Sequence, residues 1–130
     1  MLEHTGDIKM RVFGKNLAEL FANAALGMMA FLYGEKTLEL KPKKTETITI
    51  EATDVQSLLV DWLSELLYLS DENDRAYVSY EVTECAQNKI TATVGSTPAE
   101  AQDDIKAVTY HELEIKEMDG KWEATIVFDI

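Results

Sequence analysis

The second half of the chain constrains the fold most, because nearly all of it has the pattern of β-strands. Apolar and polar residues alternate on both sides of Gln87-Asn88, and strand-like runs over residues 105–115 and 122–130 flank Asp119-Gly120. A period of two is typical of half-buried strands, and Asp-Gly favours a tight hairpin turn. The sequence therefore predicts two antiparallel hairpins, separated by an acidic loop over residues 95–104.

Two amphipathic helices are predicted in the first half. Asn16 and Glu19 resemble a capping box, and apolar residues recur at helical spacing from residue 17 to about residue 33, just before Gly34. Asp54 is expected to cap a second helix, which should end at a turn over residues 71–75. The apolar stripe of this second helix consists of Leu58, Leu59, Trp62, Leu63, Leu66 and Leu67.

Three further strands complete the predicted fold. They cover residues 8–12, a weak segment at residues 38–40, and residues 47–52. Two helices and about seven strands indicate an α/β (α+β) fold, a two-layer sandwich in which the helices pack on one mixed, mainly antiparallel sheet. Neither a repeat nor a linker is evident, so we expect a single domain over residues 1–130.

The charge of the chain limits its partners. Asp and Glu outnumber Lys and Arg by 24 to 12, and the formal net charge is -12. Such a surface repels a phosphate backbone, so we expect little direct nucleic-acid binding and favour a basic protein partner or divalent cations. No apolar run is long enough to cross a bilayer, and the first residues do not resemble a signal peptide, which predicts no membrane association and a cytoplasmic location.

Two acidic residues stand at strand ends. In the last strand Asp129 points away from the apolar face that contains Phe128 and Ile130, and the sequence ends one residue later, at Ile130. The terminal carboxylate of Ile130 and the side chain of Asp129 would repel each other unless a hard cation bridged them. Asp7 precedes the first strand and is the candidate for a further oxygen ligand. The alternative from spacing alone is that these are solvated strand-end acids.

The two histidines, His4 and His111, allow a different interpretation. With Asp7 and Asp129 they could form the imidazole and carboxylate ligands of a metal-dependent hydrolase. No spacing in the sequence puts both imidazoles on one face, so we expect His4 to steady the loop at Asp7 and His111 to support a ligand by hydrogen bonding.

Lys106 is the candidate cation near these acids. If Ile105 and Thr109 share one strand face, Lys106 lies on the other face with Val108, where it could balance the carboxylates or touch a partner. The alternative is a solvated strand lysine. The chain contains no phosphate-binding glycine loop and no nucleophile-base motif, so we expect no catalysis by this chain alone.

Three segments together resemble the archease family, small accessory proteins of tRNA processing. They are EHTGD at residues 3–7, IKAVTYH at residues 105–111, and FDI at residues 128–130. The resemblance implies a divalent-metal site formed by Asp7, Asp129 and the carboxylate of Ile130. Calcium is the expected ion, and all-oxygen ligation would also suit magnesium or manganese. Gly6 stands where the family usually has alanine, a change that removes no ligand.

The resemblance also implies a function. An archease activates a tRNA-splicing RNA ligase of the RtcB class by promoting its guanylylation and multiple turnover, with Lys106 expected near the metal site. A role as a chaperone-like modulator of a tRNA methyltransferase is the alternative within the same class of protein, and the metal-dependent hydrolase is the alternative from another class. The loop over residues 95–104 lacks the Gly-Glu motif and the histidine that the family usually carries there.

Overall fold

The computed structural model describes residues 6–130, which form six β-strands and two α-helices. A short 3₁₀ helix, Glu35–Glu39, follows the first α-helix. In chain order the main elements are β1 (Asp7–Gly14), α1 (Leu17–Tyr33), β2 (Lys44–Glu51), α2 (Val55–Asn73), β3 (Arg75–Ala86), β4 (Lys89–Pro98), β5 (Ala107–Met118) and β6 (Lys121–Asp129).

The strands of the described residues form two separate three-stranded sheets. Sheet A has the order β1-β6-β5, sheet B has the order β2-β4-β3, and all neighbouring strands are antiparallel. Helix α1 packs on β1 and β3, and α2 packs on β5 and β3, so each helix contacts both sheets. The predicted α+β class is confirmed. The prediction of one mixed sheet of about seven strands is wrong, because each hairpin pairs with a different strand from the first half of the chain.

The weak strand predicted at residues 38–40 is absent. Residues 35–39 wind into the 3₁₀ helix instead, where the Thr37 hydroxyl donates to the Tyr33 carbonyl at 3.0 Å and the Leu40 amide donates to the Thr37 carbonyl at 3.1 Å. The Leu40 amide is therefore already bonded locally and does not pair with a neighbouring strand.

Helix α1 is the central element of the core. Asn16 Oδ1 accepts a hydrogen bond from the Glu19 amide at 2.8 Å, as the predicted cap requires, and the helix ends at Gly34, whose φ is +89°. The indole of Trp62 on α2 donates to the Phe21 carbonyl at 3.0 Å and joins the two helices. Residues on almost every side of α1 are buried, namely Leu17, Leu20, Phe21, Ala24, Ala25, Met28, Met29, Leu32 and Tyr33.

Helix α2 begins as predicted and ends later than predicted. The Asp54 carboxylate accepts from the Ser57 amide at 2.7 Å, which confirms the cap. The helix continues to Asn73 and stops at Asp74, which adopts a left-handed conformation with φ of +51° and donates its amide to the Ser70 carbonyl. The turn expected over residues 71–75 is therefore helical up to residue 73, because exposed polar residues are tolerated in a final helical turn. None of the helices within residues 6–130 is long and apolar enough to span a membrane.

The loop before β5 is shorter than predicted. Strand β4 extends to Pro98, because the segment around Ser96 pairs with β2 on one side and with β3 on the other. A side chain at Gly95 would overlap Pro42 and Ser79, so glycine is required there. The remaining loop is anchored by the amides of Gln102 and Asp103, which both donate to the Leu32 carbonyl, at 2.7 and 3.2 Å.

Candidate functional site

Asp7 and Asp129 lie directly opposite each other at one end of sheet A. They are partners in the β1–β6 register, and the Ile130 amide donates to the Gly6 carbonyl at 3.1 Å just beyond them. That bond identifies Asp7 and Asp129 as a non-hydrogen-bonded pair, the type in which opposed side chains approach most closely, with Cα atoms about 4.5 Å apart. Both residues are exposed, and like charges in this position destabilise a sheet.

A shallow depression of about 350 Å³ surrounds this pair on the outer face of sheet A. Thr109 faces it from β5 and donates its hydroxyl to the Val127 carbonyl at 3.0 Å. Thr109 was not predicted as a site residue, although the predicted strand put it on one face with His111. The described lining residues are Gly6, Asp7, Thr109, His111, Val127 and Asp129.

A large bulge in β5 carries His111 to the depression. Thr109 lies opposite Val127 and Glu114 opposite Thr125, so the four residues 110–113 face the single β6 residue between them. Within the bulge the backbone of Glu112 has a φ of +53°. Residues other than glycine rarely adopt this left-handed conformation. Bulges of this kind redirect side chains, and here the local conformation sets the position of His111.

An ion pair holds the bulge against the far strand of the sheet. Lys9 Nζ on β1 lies 2.9 Å from Glu112 Oε2, so the contact reaches across β6. Hydrogen bonding to Lys9, then the charge of Lys9 and finally that of His111, lower the pKa of the Glu112 carboxyl. The same hydrogen bond and the charge of Glu112 raise the pKa of Lys9, to which Asp7 contributes last. The Lys9–Glu112 pair is thus influenced by the charges of His111 within the bulge and of Asp7 on β1.

Lys106 lies beside this site but does not line the depression. Its amide donates to the Asp129 carbonyl at 2.7 Å, while the residue lines a different groove between α2 and the loop before β5. The predicted strand faces are wrong here, because β5 begins at Ala107 and Ile105 is buried in the core together with Val108.

The remaining predicted site residues are placed only in part. Ile130 is half-buried and packs against the core, and its amide is bound to Gly6. His4 lies outside the described residues, so its relation to Asp7 stays a prediction. Within residues 6–130, no three His, Cys, Asp or Glu side chains are arranged to hold one metal ion. The described side chains thus supply an opposed carboxylate pair, not a complete ligand set.

Comparison with known proteins decides the family. The sequence model of the Archease protein family (MTH1598/TM1083) matches residues 1–130. The chain belongs to the archease family. An archease of Methanosarcina mazei is 36% identical over 140 aligned positions, covering 99% of this chain and 93% of that protein. An archease of Methanosarcina barkeri is 38% identical with the same coverage. The resemblance predicted from the three sequence segments is therefore confirmed.

Solved archease structures share the fold. Protein 1598 of Methanobacterium thermoautotrophicum superimposes with a TM-score of 0.75 and 30% identity, covering 99% of this chain and 96% of that one. An archease of Thermotoga maritima, described as a possible chaperone, gives a TM-score of 0.69 at 20% identity, over 100% of this chain and 95% of that one, and shows the fold alone.

Proposed function

We propose that this archease is a cytoplasmic, metal-binding accessory protein that activates a tRNA-splicing RNA ligase of the RtcB class. In this proposal it promotes guanylylation of the ligase and thereby its multiple turnover. Family membership supports the class of function. The observation that carries the proposal is the opposed pair of Asp7 and Asp129, two exposed carboxylates that the β1–β6 register places against each other.

The chemistry of this pair favours a hard divalent cation. Two adjacent carboxylates repel each other, and a cation bound by oxygen atoms removes the repulsion. The proposed ligands are the side chains of Asp7 and Asp129 and the terminal carboxylate of Ile130. Oxygen ligands suit calcium best in this proposal, with magnesium or manganese as substitutes. When bound, the ion would supply a fixed positive charge at the end of sheet A.

The surrounding residues would hold this end of the sheet in one geometry. The Ile130 amide is fixed on Gly6, and the Lys106 amide is fixed on the Asp129 carbonyl, so the backbone on both sides of Asp129 is anchored. His111 is set by the bulge and would position a carboxylate or a group of the ligase. An activator of this kind contributes by orientation and charge, while the ligase performs the chemistry.

The test combines binding and activation. Calcium calorimetry and a ligase guanylylation assay should be run on Asp7→Asn, Asp129→Asn and the control Asp119→Asn, an exposed residue in the β5–β6 turn. We expect at least about tenfold weaker calcium binding and loss of activation in the first two variants, since each removes a charged ligand. The control should behave as wild type.

Other outcomes would identify the alternatives. Unchanged calcium affinity in both aspartate variants would contradict the metal site. Normal ligase guanylylation with a change in the product specificity of a tRNA methyltransferase would indicate the chaperone-like role. Metal-dependent hydrolysis of phosphoesters by the purified chain, lost in His111→Ala, would indicate the hydrolase.

A further inference from the structure

A second concave surface lies between α2 and the loop that precedes β5. It is a groove of about 370 Å³, open to solvent, whose floor is apolar. Leu32, Ile105 and Val108 on this floor are buried, and Leu67 is half-buried. The Tyr33 hydroxyl, also at the floor, donates to the Ser70 carbonyl at 3.3 Å, so its polar atom is already satisfied. The Tyr33 hydroxyl therefore stays hydrogen-bonded when an apolar stem covers this part of the groove.

The rim of the groove is aromatic and acidic. Tyr68 on α2 is 60% exposed, although tyrosine usually has intermediate burial. Asp71, Asp103 and Asp104 line the rim and are exposed, and none forms an ion pair within 4.0 Å with a basic group of residues 6–130. Lys106 also lines the groove, so residues 6–130 contribute three acidic residues and one basic residue to it. The groove combines apolar surface with an excess of negative charge.

Both walls of the groove are anchored. Asp71 and Tyr68 belong to α2, which is held to α1 by the Trp62 hydrogen bond. The loop with Asp103 and Asp104 is fixed at one end on the Leu32 carbonyl and at the other by the buried Ile105 side chain. The backbone that carries these carboxylates is therefore already in position, which reduces the entropy lost on binding.

We propose that this groove binds an arginine side chain from a basic segment of the protein partner. The three carboxylates can accept from the guanidinium fork, the exposed Tyr68 ring suits stacking, and the apolar floor suits the aliphatic stem. A volume of 370 Å³ is at the lower end of the range for small-molecule pockets, so it fits one or two side chains and not a folded element. The net charge of -12 also favours the approach of a basic partner.

The inference rests on the proposed function only in taking the occupant to be part of a protein partner. The test needs neither the ligase nor a metal ion. The full chain, labelled with ¹⁵N, is titrated with acetyl-Ala-Arg-Leu-amide and, separately, with the same peptide carrying citrulline. Citrulline keeps the shape of arginine and lacks its charge.

We expect saturable amide shifts concentrated at residues 67–71 and 101–108 with the arginine peptide, and at least about fivefold weaker binding of the citrulline peptide. Equal binding of the two peptides, no shifts, or shifts spread over the whole acidic surface would overturn the proposal.

Matched variants separate the groove from general charge. The double variant Asp71→Asn/Asp104→Asn and the control Glu117→Gln/Asp119→Asn change the net charge equally, and the control residues are exposed at the distant β5–β6 hairpin. Only the groove variant should weaken arginine binding, again by at least about fivefold. Tyr68→Phe should keep binding within about twofold, because the ring is retained, whereas Tyr68→Ala should lose it.

Equal weakening in both double variants would reduce the effect to bulk electrostatics and overturn the assignment. The dispersed amide spectrum of each variant shows that it is folded. If ligase activation fails while the peptide result holds, the groove assignment survives, and the reverse outcome leaves the proposed function standing.

Discussion

Lys9 on β1 and Glu112 in the β5 bulge are joined across the intervening strand β6 by a 2.9 Å ion pair. Glu112 makes this contact from a left-handed backbone conformation, with φ of +53°. Through this contact Glu112 links to β1 the bulge that carries His111 to the Asp7–Asp129 depression. Both side chains of the pair are more than half exposed, so the contact fixes geometry more than it adds stability.

Two substitutions of Glu112 test its backbone conformation, because both remove the charge and they differ in how well they tolerate a positive φ. Glu112→Gly should melt at or above the temperature of the wild-type protein, because glycine adopts a positive φ without strain. Glu112→Val should melt at a lower temperature, since a β-branched residue fits this conformation poorly. Melting curves followed by circular dichroism provide the measurement. A higher melting temperature for valine than for glycine would show that the bulge does not adopt this conformation in solution.

The opposed aspartates predict a metal-dependent change in stability. Without divalent ions, Asp7→Asn should stabilise the chain by about 0.5 kcal/mol, because it removes the repulsion from Asp129. Calcium should raise the melting temperature of the wild-type protein and leave that of the variant almost unchanged, since only a ligand that binds the folded state stabilises it. Thermal melts in a chelator and in millimolar calcium compare the two. An equal calcium effect on both proteins would argue against the site.

Lys106 should affect binding without affecting folding. It is exposed, so Lys106→Ala should change the free energy of unfolding by less than about 0.5 kcal/mol. Lys106 is the only lysine or arginine that residues 6–130 contribute to the groove, so its removal should tighten binding of the arginine peptide. We expect ligase activation to fall strongly if Lys106 contacts the ligase. Wild-type activation with tighter peptide binding would restrict its role to the groove.

Two residues of β3, Cys85 and Tyr80, have raised pKa values from which we predict a loss of stability at alkaline pH. Burial raises the pKa of the Cys85 thiol to about 11 and raises the pKa of Tyr80 well above its usual value. Between the unfolded thiol pKa, near 9, and about 11, the folded state holds more protons than the unfolded state, so stability falls as pH rises. Urea unfolding at pH 8, 9.5 and 10.5 should show this decline, with a shallower slope for Cys85→Ala. An equal slope for the variant would contradict the assignment to Cys85.

Local signals in the sequence were sufficient for the starts of both α-helices and for the last hairpin turn. Asn16 and Asp54 cap their helices as predicted, and Asp119-Gly120 forms the β5–β6 turn, with positive φ at both residues. Each depends on hydrogen bonds or backbone preferences within a few residues, which the sequence encodes directly. The juxtaposition of Asp7 with Asp129 was also predicted, because strands at opposite ends of a small domain often meet.

Only the tertiary structure decided how the two hairpins are divided between sheets. Strand β1 pairs with β6 and β2 pairs with β4, so the strands form two sheets. The pairing with β2 and β3 also extends β4 to Pro98. The bulge at residues 110–113 and the placement of Lys106 in the groove depend on partners far away in the chain, such as Lys9 and α2. Sequence periodicity reports which faces are apolar but not which surface each face meets. Cross-strand and helix–sheet contacts make that choice, and they exist only once the chain has folded.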